Sequence, residues 1–112
     1  MEMKLWIDDI REPPEGYIWI KSVRRGKWII EKFEGANRFG KEHGLRGQMV
    51  LEVIDMDHDA GDYAYDGGDY INLLDWLEET GRNYPIRIHS MNPVGRENMR
   101  AIIRRNGWTE VM

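Results

Sequence analysis

The stretch Val53-Ile54-Asp55-Met56-Asp57-His58-Asp59-Ala60-Gly61 turns from apolar to acidic and ends on a glycine. β-Branched residues running into an Asp/Gly cluster predict a buried strand and the loop that leaves its carboxyl end. Two other apolar runs finish the same way. Lys4-Leu5-Trp6-Ile7 meets Asp8-Asp9, and Ile86-Arg87-Ile88 meets His89-Ser90-Met91-Asn92. Open α/β sheets bind ligands outside the carboxyl ends of their strands. With these three strands as parallel neighbours, Asp8, Asp9, Asp57, His58, Ser90 and Asn92 converge on one rim, which becomes the predicted site.

The remaining elements are read outward from that stretch. Met49–Met56 is the third strand, with Lys4–Ile7 first, Tyr17–Lys21 second and Ile86–His89 fourth. Pro13-Pro14-Glu15-Gly16 cannot be helical, so a loop joins the first two strands. Ser22 caps a helix carrying Val23, Ile29, Ile30 and Phe33, which Gly35 is expected to end. Ala36–Gln48, basic and holding Gly40, Gly44 and Gly47, reads as a mobile loop. After an acidic loop to Gly68, Asp69 is expected to cap a helix with Ile71, Leu74 and Leu77 on one face. Asn92-Pro93 opens the last helix, Asn106-Gly107 closes it, and Trp108–Met112 has room for a short fifth strand. Strands alternating with helices predict a parallel sheet covered on both faces.

With 112 residues, 41% of them apolar, the chain reads as a single domain spanning residues 1–112. The absence of cysteine excludes disulfides, thiolate metal sites and a cysteine nucleophile. The sequence carries neither a secretory signal pattern nor an apolar run of membrane-spanning length, so a cytoplasmic protein with no membrane partner is expected. The net charge of -4 is unevenly spread. Lys21 to Arg46 holds eight Lys/Arg against three Glu, whereas Glu52 to Glu79 holds ten carboxylates and no Lys or Arg. So dense an acidic run needs neutralising. A solvated face accounts for Asp62, Asp69, Asp75, Glu78 and Glu79 better than for Asp55, Asp57 and Asp59, which follow directly on a buried strand.

Three constellations carry chemistry. Asp8, Asp9 and Asp57 supply the carboxylate oxygens that a hard cation, Mg²⁺ or Mn²⁺, takes together with waters and a substrate phosphate. An EF-hand is excluded, because its glycine position holds Ala60 and its bidentate glutamate position holds Asp66. His58 and His89 are candidate proton carriers near neutral pH, and Ser90 ends its strand facing the rim. The start of the last helix, with Asn92, Gly95 and Arg96, forms a candidate phosphate pocket, since helix amides and a guanidinium favour anions. A cation site beside an anion site is the arrangement phosphoryl chemistry needs.

These residues resemble the receiver domains of two-component signalling over almost the whole chain. By that resemblance Asp57 matches the phospho-accepting aspartate, Asp8 and Asp9 the magnesium pair, and Ser90 the hydroxyl that follows the phosphoryl group. The first helix of the pattern is missing, and so is the lysine expected at the end of strand five. A closer resemblance is to the cyclic-phosphate-processing receiver-like branch, cREC. It rests on Lys4–Arg11, on Asp57-His58-Asp59 and on His89–Met99, with the basic 36–48 segment standing as an insertion.

The resemblance implies a flavodoxin-like, three-layer α/β/α sandwich with a five-stranded parallel sheet of order 2-1-3-4-5. It also implies a metal-dependent phosphoesterase acting on the cyclic phosphate of a nucleotide or RNA end. In that reading Asp57, His58, His89 and Ser90 are catalytic, and Ser90, Asn92, Gly95 and Arg96 hold the phosphate. Asp57 could instead serve as a nucleophile through an acyl phosphate. Two alternatives stand beside it: a single-domain receiver phosphorylated on Asp57 that signals to a protein partner, and an RNA-associated factor using Arg24, Arg25, Lys27, Arg38, Lys41 and Arg46.

Overall fold

The computed structural model describes residues 1–112. In chain order it contains β1 (Glu2–Ile7), β2 (Ile18–Ile20), α1 (Val23–Glu42), β3 (Val50–Met56), a 3₁₀ segment (Gly61–Asp66), α2 (Ile71–Glu79), β4 (Ile86–Ile88) and α3 (Pro93–Asn106). All strand pairs are parallel, in a four-stranded sheet of order β2-β1-β3-β4. The expected five-stranded order therefore stops at four. Trp108–Met112 forms only an isolated parallel bridge between Ile86 and Glu110, anchored by Trp108 under α3.

The helices do not cover both faces, which corrects the three-layer expectation. From β2 the chain crosses through α1 to β3, through α2 to β4 and through α3 to the Glu110 bridge, stepping each time in the same direction across the sheet. Right-handed crossovers that step one way lie on one side. The only step the other way, β1 to β2, is a loop. Accordingly Leu5, Ile7, Ile20, Ile54, Met56 and Ile86 share one hydrophobic cluster with Val23, Ile30 and Phe33 of α1, Leu73, Leu74 and Leu77 of α2, and Met99, Ile102 and Ile103 of α3. On the opposite pleat Trp6, Val53 and Asp55 are buried outside that cluster. The loop after β1 folds over that pleat, for Trp6 Nε1 donates to the Arg11 carbonyl at 2.7 Å.

Helix α1 runs through Gly35 to Glu42, so the first part of the expected Ala36–Gln48 loop is helical and only residues 43–48 lie outside regular structure. Tertiary contacts outweigh the cost of two glycines, roughly 1 kcal/mol each. Glu34 accepts a forked pair of bonds from Arg82 and one from the Tyr84 hydroxyl. Asn37 exchanges two bonds with the Met49 backbone, at 2.7 and 2.8 Å. The helix ends where His43 caps it and Gly44 turns to φ 69°. Ser22 caps its start as expected, accepting from Arg25 N while donating to Asp66 at 2.7 Å.

Asp69 does not cap α2. The N-cap is Tyr70, without a side-chain bond, and the Asp69 carboxylate reaches back to accept from Ala60 N at 3.0 Å. The acidic loop is tighter than expected, because Gly61–Asp66 closes into 3₁₀ turns ended by Gly67 at φ 116°.

Candidate active site

β1 and β3 end side by side, with Ile7 opposite Met56, so Asp8, Asp9 and Asp57 leave the sheet at one edge. Each offers a carboxylate oxygen within 4.8 Å of the other two. Asp8 is buried, its Oδ1 accepting from Ile10 N and Arg11 N at 3.0 and 2.8 Å. Burial opposes its charge, but those two amides and His89 outweigh burial and hold its carboxyl below the ordinary range. Asp9 goes the other way. Burial and the neighbouring charges of Asp8, Asp57 and Asp62 raise it. The Asp9 carboxylate lies against Gly61, where a Cβ would come within 2.2 Å of Oδ2. Both that contact and a φ of 53° require glycine here.

Mutually repelling carboxylate oxygens packed this closely fit a hard divalent cation, whose charge offsets their repulsion. Asp8, Asp9 and Asp57 are the residues that would hold it. His58, Asp59 and Asp69 form a second grouping of ligand atoms within 4.8 Å. In the structure His58 Nδ1 is bonded to Asp59 Oδ1 at 2.9 Å, and Asp69 is tied to the Ala60 amide.

The two histidines differ sharply. His58 lies at the rim, its backbone N–H donating to Asp57 Oδ1 at 2.7 Å. Its ring rests on Gly95, where a Cβ would stand 2.5 Å from Cγ. Gly95 is therefore small for His58, whereas the sequence suggested an approaching anion. His89 is buried below the rim. Its Nδ1 lies 2.7 Å from Asp55 Oδ1, its Nε2 lies 2.9 Å from Asp8 Oδ2, and its ring stacks on Trp6 at 3.9 Å. Each ring nitrogen of His89 is thus paired with a carboxylate oxygen, which fixes the position of the ring. Asp55 in turn receives Arg87 Nη1 at 3.0 Å.

The start of α3 is more occupied than expected. Ser90, buried, accepts from Asn92 N, and Asn92 Oδ1 accepts from Gly95 N at 3.0 Å. The Arg96 amide is bonded to the Asn92 carbonyl, and Pro93 has no N–H. Val94 N is left as the open amide of the first turn. Ser90, Asn92 and Gly95 thus build the turn, and Arg96 keeps a buried Nε without a partner.

Three residues of the site escaped sequence reasoning. Asp55, Trp6 and Tyr70 support the trio from beneath. Tyr70 is fully buried and donates to the Lys21 carbonyl at 2.7 Å, and burial together with the charges of Asp9, Asp8 and Asp57 keeps its hydroxyl protonated. For Asp55 a signal existed: an acid between Ile54 and Met56 on a buried strand must find a cationic partner.

A four-stranded parallel sheet with an acidic trio at its carboxyl edge defines a receiver-like α/β domain. The chain matches the family model described as the cyclic-phosphate processing receiver domain over residues 3–105, and it belongs to that family. No curated protein and no solved structure matches it. No helix is long and apolar enough to cross a membrane.

Proposed function

We propose that this domain is a Mg²⁺- or Mn²⁺-dependent phosphoesterase that opens a five-membered cyclic phosphate on a nucleotide or RNA end. The observation that carries the reading is the juxtaposition of the Asp8, Asp9 and Asp57 trio with His58, whose backbone N–H is bonded to Asp57 and whose ring packs on Gly95 in the first turn of α3. The family's description supports the substrate class.

A cation bound by the trio would supply charge stabilisation for the phosphoryl oxygens as the ring opens. The chain's own residues do the rest. Asp59 orients His58 through Nδ1, leaving Nε2 to take a proton from the attacking water, the division of labour of an oriented general base. The water oxygen bonds to phosphorus, one endocyclic P–O bond breaks, and the leaving alkoxide takes the proton back from His58. The product is an open phosphate monoester. Arg96 and the Val94 amide grip the non-bridging oxygens. His89 serves as a positioning residue, because both its nitrogens are committed to carboxylates.

The reading is tested by chromatography of nucleoside 2′,3′-cyclic phosphates incubated with protein and Mg²⁺. His58→Gln is expected to lower kcat about 10²–10⁴-fold and EDTA to stop turnover. Equal turnover by wild type and His58→Gln would remove His58 from the chemistry.

A further inference from the structure

A groove of about 600 Å³ opens between the free edge of β2, the start of α1 and the 3₁₀ segment. Its walls include Trp19, Lys21, Arg25, Trp28, Tyr63 and Tyr65. That volume is in the range of small-molecule sites. Two of its rings face water at a cost, for Trp28 is 51% and Tyr65 is 83% exposed. Exposed aromatic surface gathered around a concavity marks a ligand site more often than a bare surface.

The cations beside these rings are held over their faces. Lys21 Nζ stands 4.5 Å from the Trp19 centroid and 5.8 Å from Tyr63, and Arg25 stands 6.0 Å from Trp28. Two of the groove's lining residues are also tied to the segments that carry the acidic trio. Trp19 Nε1 donates to the Asp8 carbonyl at 2.8 Å. Tyr63 N bonds to Ala60 O, closing the turn whose Gly61 supports Asp9.

We infer that this groove receives the base of a nucleotide whose phosphate lies at the Asp8, Asp9 and Asp57 trio, with Trp28, Tyr63 and Tyr65 as stacking surfaces. The chemistry favours a nucleobase over a peptide. Flat π-faces beside cations suit a ring that stacks and accepts charge, while β2, with three residues, is a short edge for an added strand. The inference rests on the phosphoesterase reading for where the phosphate lies, and the base site can be tested apart from it.

Adenosine and methyl riboside, which lacks the base, are titrated into full-length ¹⁵N-labelled protein without metal, and the indole N–H and amide signals are followed. Adenosine is expected to shift the Trp19 and Trp28 indole signals and the Tyr65 amide saturably, and methyl riboside to leave them unmoved. Trp28→Ala and Tyr65→Ala, both at exposed positions, should each weaken adenosine about tenfold, and Trp28→Phe should restore it. Equal responses to the two probes, or variants without effect, would overturn the base site and leave the phosphoesterase reading standing. Saturable adenosine binding without cyclic-phosphate turnover would support the base site and remove that reading. Among active proteins, Trp28→Ala should raise KM and spare kcat. Comparing a mononucleotide with a short RNA, each ending in a 2′,3′-cyclic phosphate, separates the two sources of the base by which shows the lower KM.

Discussion

His89 shows how buried acidic side chains are made tolerable and useful at once. A carboxylate buried below the surface costs several kcal/mol if left unpaired. The His89 imidazole between Asp55 and Asp8 pairs with both, and Trp6 stacked on its face fixes the ring plane. Removing it by His89→Ala is expected to destabilise the fold by about 3 kcal/mol, measured by urea unfolding. A cost below about 0.5 kcal/mol, the level of an ordinary surface change, would mean that the pairing does not hold in solution. This network was only half legible in the sequence. Asp8, Asp9 and Asp57 follow apolar runs and announce themselves as strand ends. Asp55 depends on register: it sits opposite Trp6 and Arg87, a placement that periodicity alone does not supply. Ser90 and Asn92 were legible as rim residues, but their oxygens turned out to be spent on the local turn, the usual competition of short polar side chains for nearby amides.

At the scale of an element, α1 is where local and tertiary signals disagree. Gly35 reads as a stop and Gly40 as part of a loop, because glycine has the highest cost in a helix after proline. What carries the helix through them is distant in sequence: Arg82 and Tyr84 on Glu34, and Met49 on Asn37. A Cβ at Gly40 would meet Leu45 Cβ at 3.7 Å, an ordinary contact. Gly40→Ala is therefore expected to stabilise the protein by about 0.5–1 kcal/mol, read as a rise in Tm. Loss of stability would contradict the helical assignment of this segment.

The Glu34 anchor also has a pH signature. Burial raises its carboxyl, but Arg82 and Tyr84 outweigh burial and leave it below the ordinary 4.5. A carboxyl depressed by folding contributes its stability in full above the unfolded value and loses it as pH falls through the folded one. Between about pH 5 and pH 3 the wild type is expected to lose Tm more steeply than Glu34→Gln. Parallel curves would show that Glu34 is not held ionised.

Across the whole molecule, the direction of the crossovers explains both the one-sided helical layer and the position of the site. Alternation of strands and helices was legible and correctly indicated a parallel α/β domain. Coverage was not, because it depends on which side each crossover takes, and the one loop connection removes the only helix that would have faced the other way. The fifth strand failed for a simpler reason: after α3 the chain reaches β4 with Glu110 alone in ladder register. The carboxyl edge that gathers Asp8, Asp9 and Asp57 is unaffected by either departure, since it needs only β1 and β3 adjacent and parallel.

The central claim is that this edge opens a cyclic phosphate with the help of a divalent cation. Phosphorus-31 NMR of a nucleoside 2′,3′-cyclic phosphate mixed with protein and Mg²⁺, with Asp57→Asn run beside it, tests it most directly. Conversion of the cyclic-phosphate resonance to a monoester signal by the wild type, absent with Asp57→Asn, is the result expected. An unchanged cyclic phosphate, with an Asp57-dependent acyl-phosphate signal when acetyl phosphate is supplied instead, would contradict it and make the domain a phospho-accepting receiver.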